Sequence, residues 1–348
     1  MKLPYGIYLN LPLKDYLADP GLSATGIKQL WSSPLTYWAN SSMNPDREQR
    51  KETQAKMFGT AFHKLVLEGF GAFLDCYASL PDKEDYPDAL DGVSELREEC
   101  DRLGLKKSGT MLDMCQRIRE VDPDVELWPE IVDEFNRDNL DKMIMNPEDM
   151  AMIRRMASMI DAHPSARNVF TGGGSEVSIF WQEEEYGLRM KARLDYLRPN
   201  MIIDLKTFSN PLGLPLDTAI TRAIATNKYH VQAVVYLKAF AAARDFIARG
   251  LMPKANGEQW FLPMVQCSEP RFFFVFVETG AANNVVLREL RREISGAESI
   301  AYQAGCKIFR HGIEIFNRCE VQYGIKPWLD PRPAESIQDH DFPLWAQE

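Results

Sequence analysis

The stretch from Glu176 to Lys206 leaves few options for how this chain can fold. Glu176 to Gln182 alternates polar and apolar residues and carries the β-formers Val177, Ile179, Phe180 and Trp181. Glu184 to Gly187 reads as a turn, Leu188 to Leu197 alternates again, Pro199-Asn200 is a second turn, and Met201 to Lys206 (MIIDLK) is a short apolar run. Three extended runs with tight connections predict a three-strand antiparallel meander. Upstream, Phe58, Phe62, Leu65 and Val66 recur at helical spacing and predict a helix over Met57 to Phe70. Helical patterning is also read over 126–161, Lys228 to Arg244 and 282–303, with an irregular Pro-rich tail after the last. Arg271 to Glu278 (RFFFVFVE) is apolar enough to be a strand buried on both faces. The order helix, three strands, helix, strand predicts a mixed α/β core.

The meander also carries charge where charge is costly. Asp204 interrupts the apolar run Met201, Ile202, Ile203, Leu205, and Asp195 recurs at hairpin distance on the strand before it. Residues two apart on a strand share a face, so Asp204 and Lys206 are expected to point into one site. Two neighbouring carboxylates repel unless a cation lies between them, and hard oxygen ligands suit Mg²⁺ or Mn²⁺. Lys206 beside them can orient or deprotonate a water, or stabilise charge developing on a phosphate. On spacing alone, a solvated Asp–Lys surface pair fits as well.

Three further elements are weaker singly. His63, in Gly59-Thr-Ala-Phe-His63 on the predicted helix, offers an imidazole ligand, although a lone helical histidine is more commonly a packing residue. Glu176 opens the first strand and can hydrogen-bond a ligand or a metal-bound water; a strand-end surface charge is the competing reading. In Tyr229-His-Val-Gln232-Ala-Val-Val-Tyr236, Gln232 and Tyr236 stand four apart on one helix face, where an amide and a phenol can hold a phosphate or a nucleotide edge.

The ordered set GxxxH, D, DxK and YxxQxxxY resembles the RecB-type branch of the PD-(D/E)XK nucleases, with a restriction-endonuclease-like core. Gly59 and His63 match its first motif, Asp195 its second, Asp204 and Lys206 its third, and Tyr229, Gln232 and Tyr236 its last. The flanking stretches LSATGIKQLWSSPLTYW, MFGTAFHKLVLEGF, GSEVSIFW, GLRMKARLDYL and MIIDLKTFSNP, with the tail ending at Leu344-Trp345, are similar to the RecE-like (exodeoxyribonuclease VIII) nucleases of phages and prophages. The resemblance spans nearly the whole chain outside 81–130. It implies a Mg²⁺-dependent exonuclease (Mn²⁺ as a substitute) acting on double-stranded DNA ends, 5′ to 3′. The product would be 3′ single strands for a single-strand annealing protein, and the enzyme a homo-oligomeric ring in the bacterial cytoplasm. It implies that His63, Asp195, Asp204 and the main-chain carbonyl of Leu205 ligate the metal, that Asp195, Asp204 and Lys206 are catalytic, and that Gln232 and Tyr236 steady the strand being cut; Tyr229 and Glu176 are taken as further substrate-binding candidates. A structure-specific DNA endonuclease, or an inactive DNA-binding scaffold on the same fold, remains open.

The expected division is 1–80 as the N-terminal helical part of the core, 81–125 as an inserted helix hairpin, and 126–348 as the remainder. Residues 93–120 resemble a SAP-like DNA-binding hairpin, although their six basic and six acidic residues give that likeness no electrostatic support. A net charge of −10 likewise shows no basic footprint, so a nucleic-acid surface must be local. The six cysteines at 76, 100, 115, 267, 306 and 319 form no CxxC pair, and no iron–sulfur cluster is expected. Neither a signal peptide nor a membrane span is read.

Overall fold

The computed structural model describes residues 2–48, 53–253 and 259–329. In chain order the elements are β1 (Gly6–Tyr8), α1 (Leu13–Ala18), α2 (Ala24–Ser32), α3 (Pro34–Asn40), α4 (Gln54–Cys76) and β2 (Tyr77–Ser79). Next come α5 (Val93–Arg102), α6 (Met111–Val121), α7 (Trp128–Asp138), β3 (Met143–Met145) and α8 (Pro147–Ala162). The meander follows as β4 (Gly174–Gln182), β5 (Arg189–Arg198) and β6 (Met201–Phe208). The chain continues through α9 (Leu216–Thr226), α10 (Tyr229–Ala248), β7 (Arg271–Glu278), β8 (Val285–Leu290), β9 (Glu293–Ile294), β10 (Ala297–Glu298) and α11 (Ile300–Tyr323). The Leu344-Trp345 motif lies outside the described residues.

Six strands form the central sheet in the order β1-β4-β5-β6-β7-β8. β4, β5 and β6 are the predicted antiparallel meander, and β6 pairs with β7 in parallel. A parallel pair needs a crossover, which α9 and α10 supply. Side chains alternate between two apolar layers. Ile202, Phe272, Phe274 and Phe276 face α2, α10 and α11, whereas Ile203, Leu205, Val275 and Val277 face α4 and α8. The RFFFVFVE run is therefore buried on both faces for the reason its composition indicated. This is the mixed α/β core that the sequence predicts.

The helix expected over 282–303 is instead the strand β8, two short strands and the start of α11. Asn283, at φ 46, closes a hairpin by donating its side-chain amide to the carbonyls of Glu278 and Gly280, and Val285 to Leu290 then pairs antiparallel with β7. Edge pairing with β7 outweighs helical spacing there. The continuous helix read over 126–161 is broken by β3, which pairs in parallel with β2, more than sixty residues earlier in the chain. That partner is non-local, so no local pattern announces it. α4 runs further than expected, with a kink at Gly69, whose φ of 86 suits glycine.

Between β2 and β3, α5 and α6 close on their own apolar cluster of Leu96, Cys100, Met114, Cys115, Ile118 and Leu127. α7 packs on α6. None of the six cysteines is in a disulfide.

The N-terminal segment is stapled to the sheet by three cations two residues apart on β5. Arg189 forms a bidentate pair with fully buried Asp19, at 2.8 Å from Nε to Oδ1 and 2.6 Å from Nη2 to Oδ2. Asp19 also accepts the backbone N–H groups of Leu3 and Gly21, both at 2.9 Å. Lys191 donates to the carbonyls of Tyr16 (2.9 Å) and Asp19 (2.6 Å) at the C-terminal end of α1. Arg193 donates to the Leu11 carbonyl at 2.7 Å. These bonds fix residues 10–13 above the sheet, where they form one rim of the site.

Candidate active site

The meander's register builds the site. Tyr196 pairs with Ile203, so Asp195 falls beside Asp204 on the next rung; Ser175↔Tyr196 and Val177↔Leu194 likewise bring Glu176 opposite Asp195. Three carboxylates thus lie in a row across β4, β5 and β6. β5 and β6 stop pairing at this point, and Asp195 Oδ2 takes the freed Leu205 N–H at 2.8 Å. Glu176 sits at φ 53 inside its strand, a conformation that L-residues seldom adopt. Its carboxylate is held by an ion pair with Arg193.

His63 on α4 lies over this row, with Nδ1 3.7 Å from Asp195 Oδ2. One ligand atom each from His63, Glu176 and Asp195 lies within 4.8 Å of the others, a set able to share one metal ion. Glu176, expected at the substrate, therefore stands with the candidate metal ligands His63 and Asp195; only the register of β4 against β5 brings it there. The Leu205 carbonyl borders the same space, bonded to His63 and accepting from Lys206 Nζ at 3.3 Å. Asp204 is fully buried. Its Oδ1 accepts from Gln232 Nε2 at 2.9 Å, while Oδ2 ion-pairs with Lys206 Nζ at 2.5 Å and accepts no well-directed hydrogen bond. A buried carboxylate oxygen left short of donors suits a cation. The donor set, one imidazole nitrogen with hard oxygens, fits Mg²⁺ or Mn²⁺.

Tyr236, expected at the substrate, lies behind the carboxylate row. It is 8% exposed, its ring packs on Phe272, and its hydroxyl bonds Gln232 Nε2 at 3.0 Å. Tyr236 holds Gln232, and Gln232 holds Asp204. Tyr229 is more open, and its ring lies beneath the Lys206 ammonium, 5.2 Å from Nζ to the centroid. His63 and Glu176 open into a cleft of about 1010 Å³ between α4 and the 10–13 segment, lined also by Lys56, Lys64, Ser175 and Arg193. Sequence reading missed Arg193, and also Lys28, whose Nζ lies 5.3 Å from the centroid of the same Tyr229 ring. Arg193 was visible only as one of three alternating cations, and Lys28 as a cation on the apolar helix Ala24–Ser32.

Burial pushes the Asp195 and Asp204 carboxyls up to about 6, against the pull of Lys206. Burial and Lys206 push the His63 imidazole down to about 4, so it is neutral, the ligating form, at neutral pH. Burial opposes charge on Lys206 too, but the Asp204 and Asp195 carboxylates hold its ammonium above its ordinary range.

The signs of these shifts predict a pH-dependent metal response. Raised carboxyl values mean that the stability the two protonated groups contribute is lost as pH rises through about 6. His63 acts oppositely between about 4 and its unfolded value near 6.5, but as one group against two. A divalent cation competes with the protons on Asp195 and Asp204. The rise in melting temperature on adding Mg²⁺ or Mn²⁺ is therefore expected to be large at pH 8 and to fade toward pH 5, with a midpoint near 6. A shift of equal size at pH 5 and 8, read by scanning fluorimetry, would contradict it.

A mixed sheet with carboxylates across adjacent strands, a D-x-K pair on the third, and a histidine-bearing helix over them defines a PD-(D/E)XK-type nuclease core. Residues 23–248 match the family described as PDDEXK-like domain of unknown function (DUF3799), and the chain belongs to that family. No curated protein matches it. It is similar to the crystal structure of a "Putative exonuclease" from Eubacterium rectale, at 11% identity and a TM-score of 0.49, over 88% of this chain and 86% of that one. It is more distantly similar to SSO0001, at 15% identity and a TM-score of 0.24, over 53% and 79%. Among the described residues no helix is long and apolar enough to cross a membrane.

Proposed function

We propose that this protein is a divalent-metal-dependent exonuclease on double-stranded DNA ends, of the RecE-like kind, working 5′ to 3′. The observation that carries the reading is the convergence of His63, Glu176 and Asp195 beside the buried Asp204–Lys206 pair, with His63 and Glu176 opening into a cleft. His63, Glu176, Asp195, Asp204 and the Leu205 carbonyl are the groups that would hold the ion. When bound, a divalent cation there polarises a phosphodiester and lowers the pKa of a coordinated water.

The chain's own residues do the rest. Asp195, fixed by the Leu205 N–H, and Asp204, fixed by Gln232, keep their carboxylates oriented before substrate arrives. Lys206, kept protonated by those carboxylates, is suited to donating to a phosphate oxygen rather than to taking a proton. Tyr229 offers a ring face beside it. Arg193 holds Glu176 and the 10–13 rim together, so that rim and ligand keep one geometry. Backbone contacts of this kind favour low sequence specificity and strong salt dependence.

The same reading takes 1–80 and the chain after the insert as one nuclease core. It takes 81–125 as a helix hairpin engaging duplex beyond the cut, a ring of identical subunits as the assembly, and a single-strand annealing protein as partner, in the cytoplasm of a bacterial host. The test is digestion of linear duplexes labelled at the 5′ or the 3′ end, with closed circular DNA alongside, with and without Mg²⁺. Early release of the 5′ label from linear DNA, and none without metal, is expected. Nicking of closed circles would replace the exonuclease with an endonuclease, and no cleavage with either Mg²⁺ or Mn²⁺ would leave a binding scaffold.

A further inference from the structure

We propose that Lys28 is a phosphate-binding residue, contacting the DNA backbone beside the position that Lys206 serves; the assignment rests on the nuclease reading above. Lys28 stands on α2, far from the DxK motif in sequence, yet its Nζ lies 5.3 Å from the centroid of the Tyr229 ring, the same ring that Lys206 Nζ covers at 5.2 Å. Two ammonium groups therefore share one aromatic ring at the edge of the carboxylate row.

The charges around Lys28 do not balance. Lys206 and Lys228 repel it, and the carboxylate whose charge offsets this, Asp204, is already ion-paired with Lys206. Burial, with those two lysines, pushes the Lys28 amine down to about 8. A ring quadrupole attracts a cation only weakly and does not replace a carboxylate. In an acidic protein, an ammonium set beside two like charges, with the carboxylate that offsets them already ion-paired to another lysine, suits an external anion. The alternating phosphates of a strand lying on Asp204 and Lys206 would supply one. The chemistry is that of a phosphodiester oxygen accepting a charge-assisted hydrogen bond from the amine.

Lys28 is a contact residue in this assignment, so its charge must show in binding. Lys28→Met keeps the stem and removes the ammonium; Lys28→Arg keeps a cation; Lys326→Ala removes an exposed lysine after α11 as a charge control. Duplex affinity would be measured from low to moderate salt without divalent ions, and KM and kcat with Mg²⁺ on end-labelled duplex. Lys28→Met is expected to weaken DNA binding about tenfold, to lower the slope of log affinity against log salt by about one, and to raise KM, with Lys28→Arg restoring most of the loss. Lys326→Ala should match wild type. If wild type binds and cuts DNA while Lys28→Met keeps wild-type affinity and slope, the assignment is overturned and the amine merely packs on Tyr229. If wild type neither binds nor cuts duplex DNA, the nuclease reading itself fails and the Lys28 assignment goes with it.

Discussion

Asp204→Ala is expected to lower DNA cleavage by about 10³-fold or more while duplex binding persists. The carboxylate is fully buried, fixed on one oxygen by Gln232 and on the other by Lys206, and it faces Asp195 across the strand pair. Its removal takes away a preorganised negative group at the point where the proposed cation would sit, and it leaves the Gln232 amide and the Lys206 ammonium turned toward an empty space. The surroundings predict an order of effects. Gln232→Ala should lose about 10- to 100-fold, because it acts through Asp204 rather than on the reacting phosphate. Tyr236→Phe should lose less, since one hydrogen bond to Gln232 disappears and the ring stays. Single-turnover digestion of linear duplex at saturating Mn²⁺ reads these values, and far-ultraviolet dichroism confirms folding. A folded Asp204→Ala protein that cuts at wild-type rate would remove Asp204 from the chemistry, and the proposed site with it.

The second large effect is on stability. Asp19→Ala should destabilise the protein by about 3–5 kcal/mol, since it leaves the Arg189 guanidinium, 10% exposed, without its carboxylate in an apolar setting. The Leu3 and Gly21 N–H groups lose their acceptor as well. The pH dependence follows from the direction of the shift. Burial raises the Asp19 carboxyl, but Arg189 and the two amides outweigh it and hold it below the ordinary carboxylate range. A depressed folded value means that the stabilisation is present above the unfolded value near 3.9 and is lost as pH falls through the folded one. The stability difference between wild type and Asp19→Ala, from urea unfolding, should therefore be full at pH 6–7 and shrink below pH 4. Because Asp19 anchors the segment that carries the 10–13 rim, DNA affinity should fall too. A difference under 1 kcal/mol at pH 7 would show that the N-terminal staple is held by packing alone.

Much of the fold was legible because its signals are local. Alternation over Glu176–Lys206, the two turns at 184–187 and 199–200, and the apolar run at 271–278 each encode a strand without reference to anything distant. The places where sequence reading failed are those where a distant partner decides. Val285–Leu290 has residues that a helix would tolerate, but β7 offers a free edge. Met143–Met145 extends because β2 lies alongside it.

The site divides along the same line. Asp204 and Lys206 share a face by strand geometry, and Asp195 is set opposite by a two-residue turn, so their meeting follows from period and turn length alone. Glu176 reaches His63 and Asp195 only through the register of β4 on β5. Tyr236 proves to be buried only once α10 is laid on the sheet. Lys28 reaches Tyr229 only because α2 and α10 cover the same face. Sequence by itself determined which residues can share a strand face and where the chain must turn, because those depend on neighbours within a few bonds. The tertiary structure alone decided which carboxylates, amides and ammonium groups meet across elements and which are shut away from water, because register and burial are properties of the packed sheet and helices together.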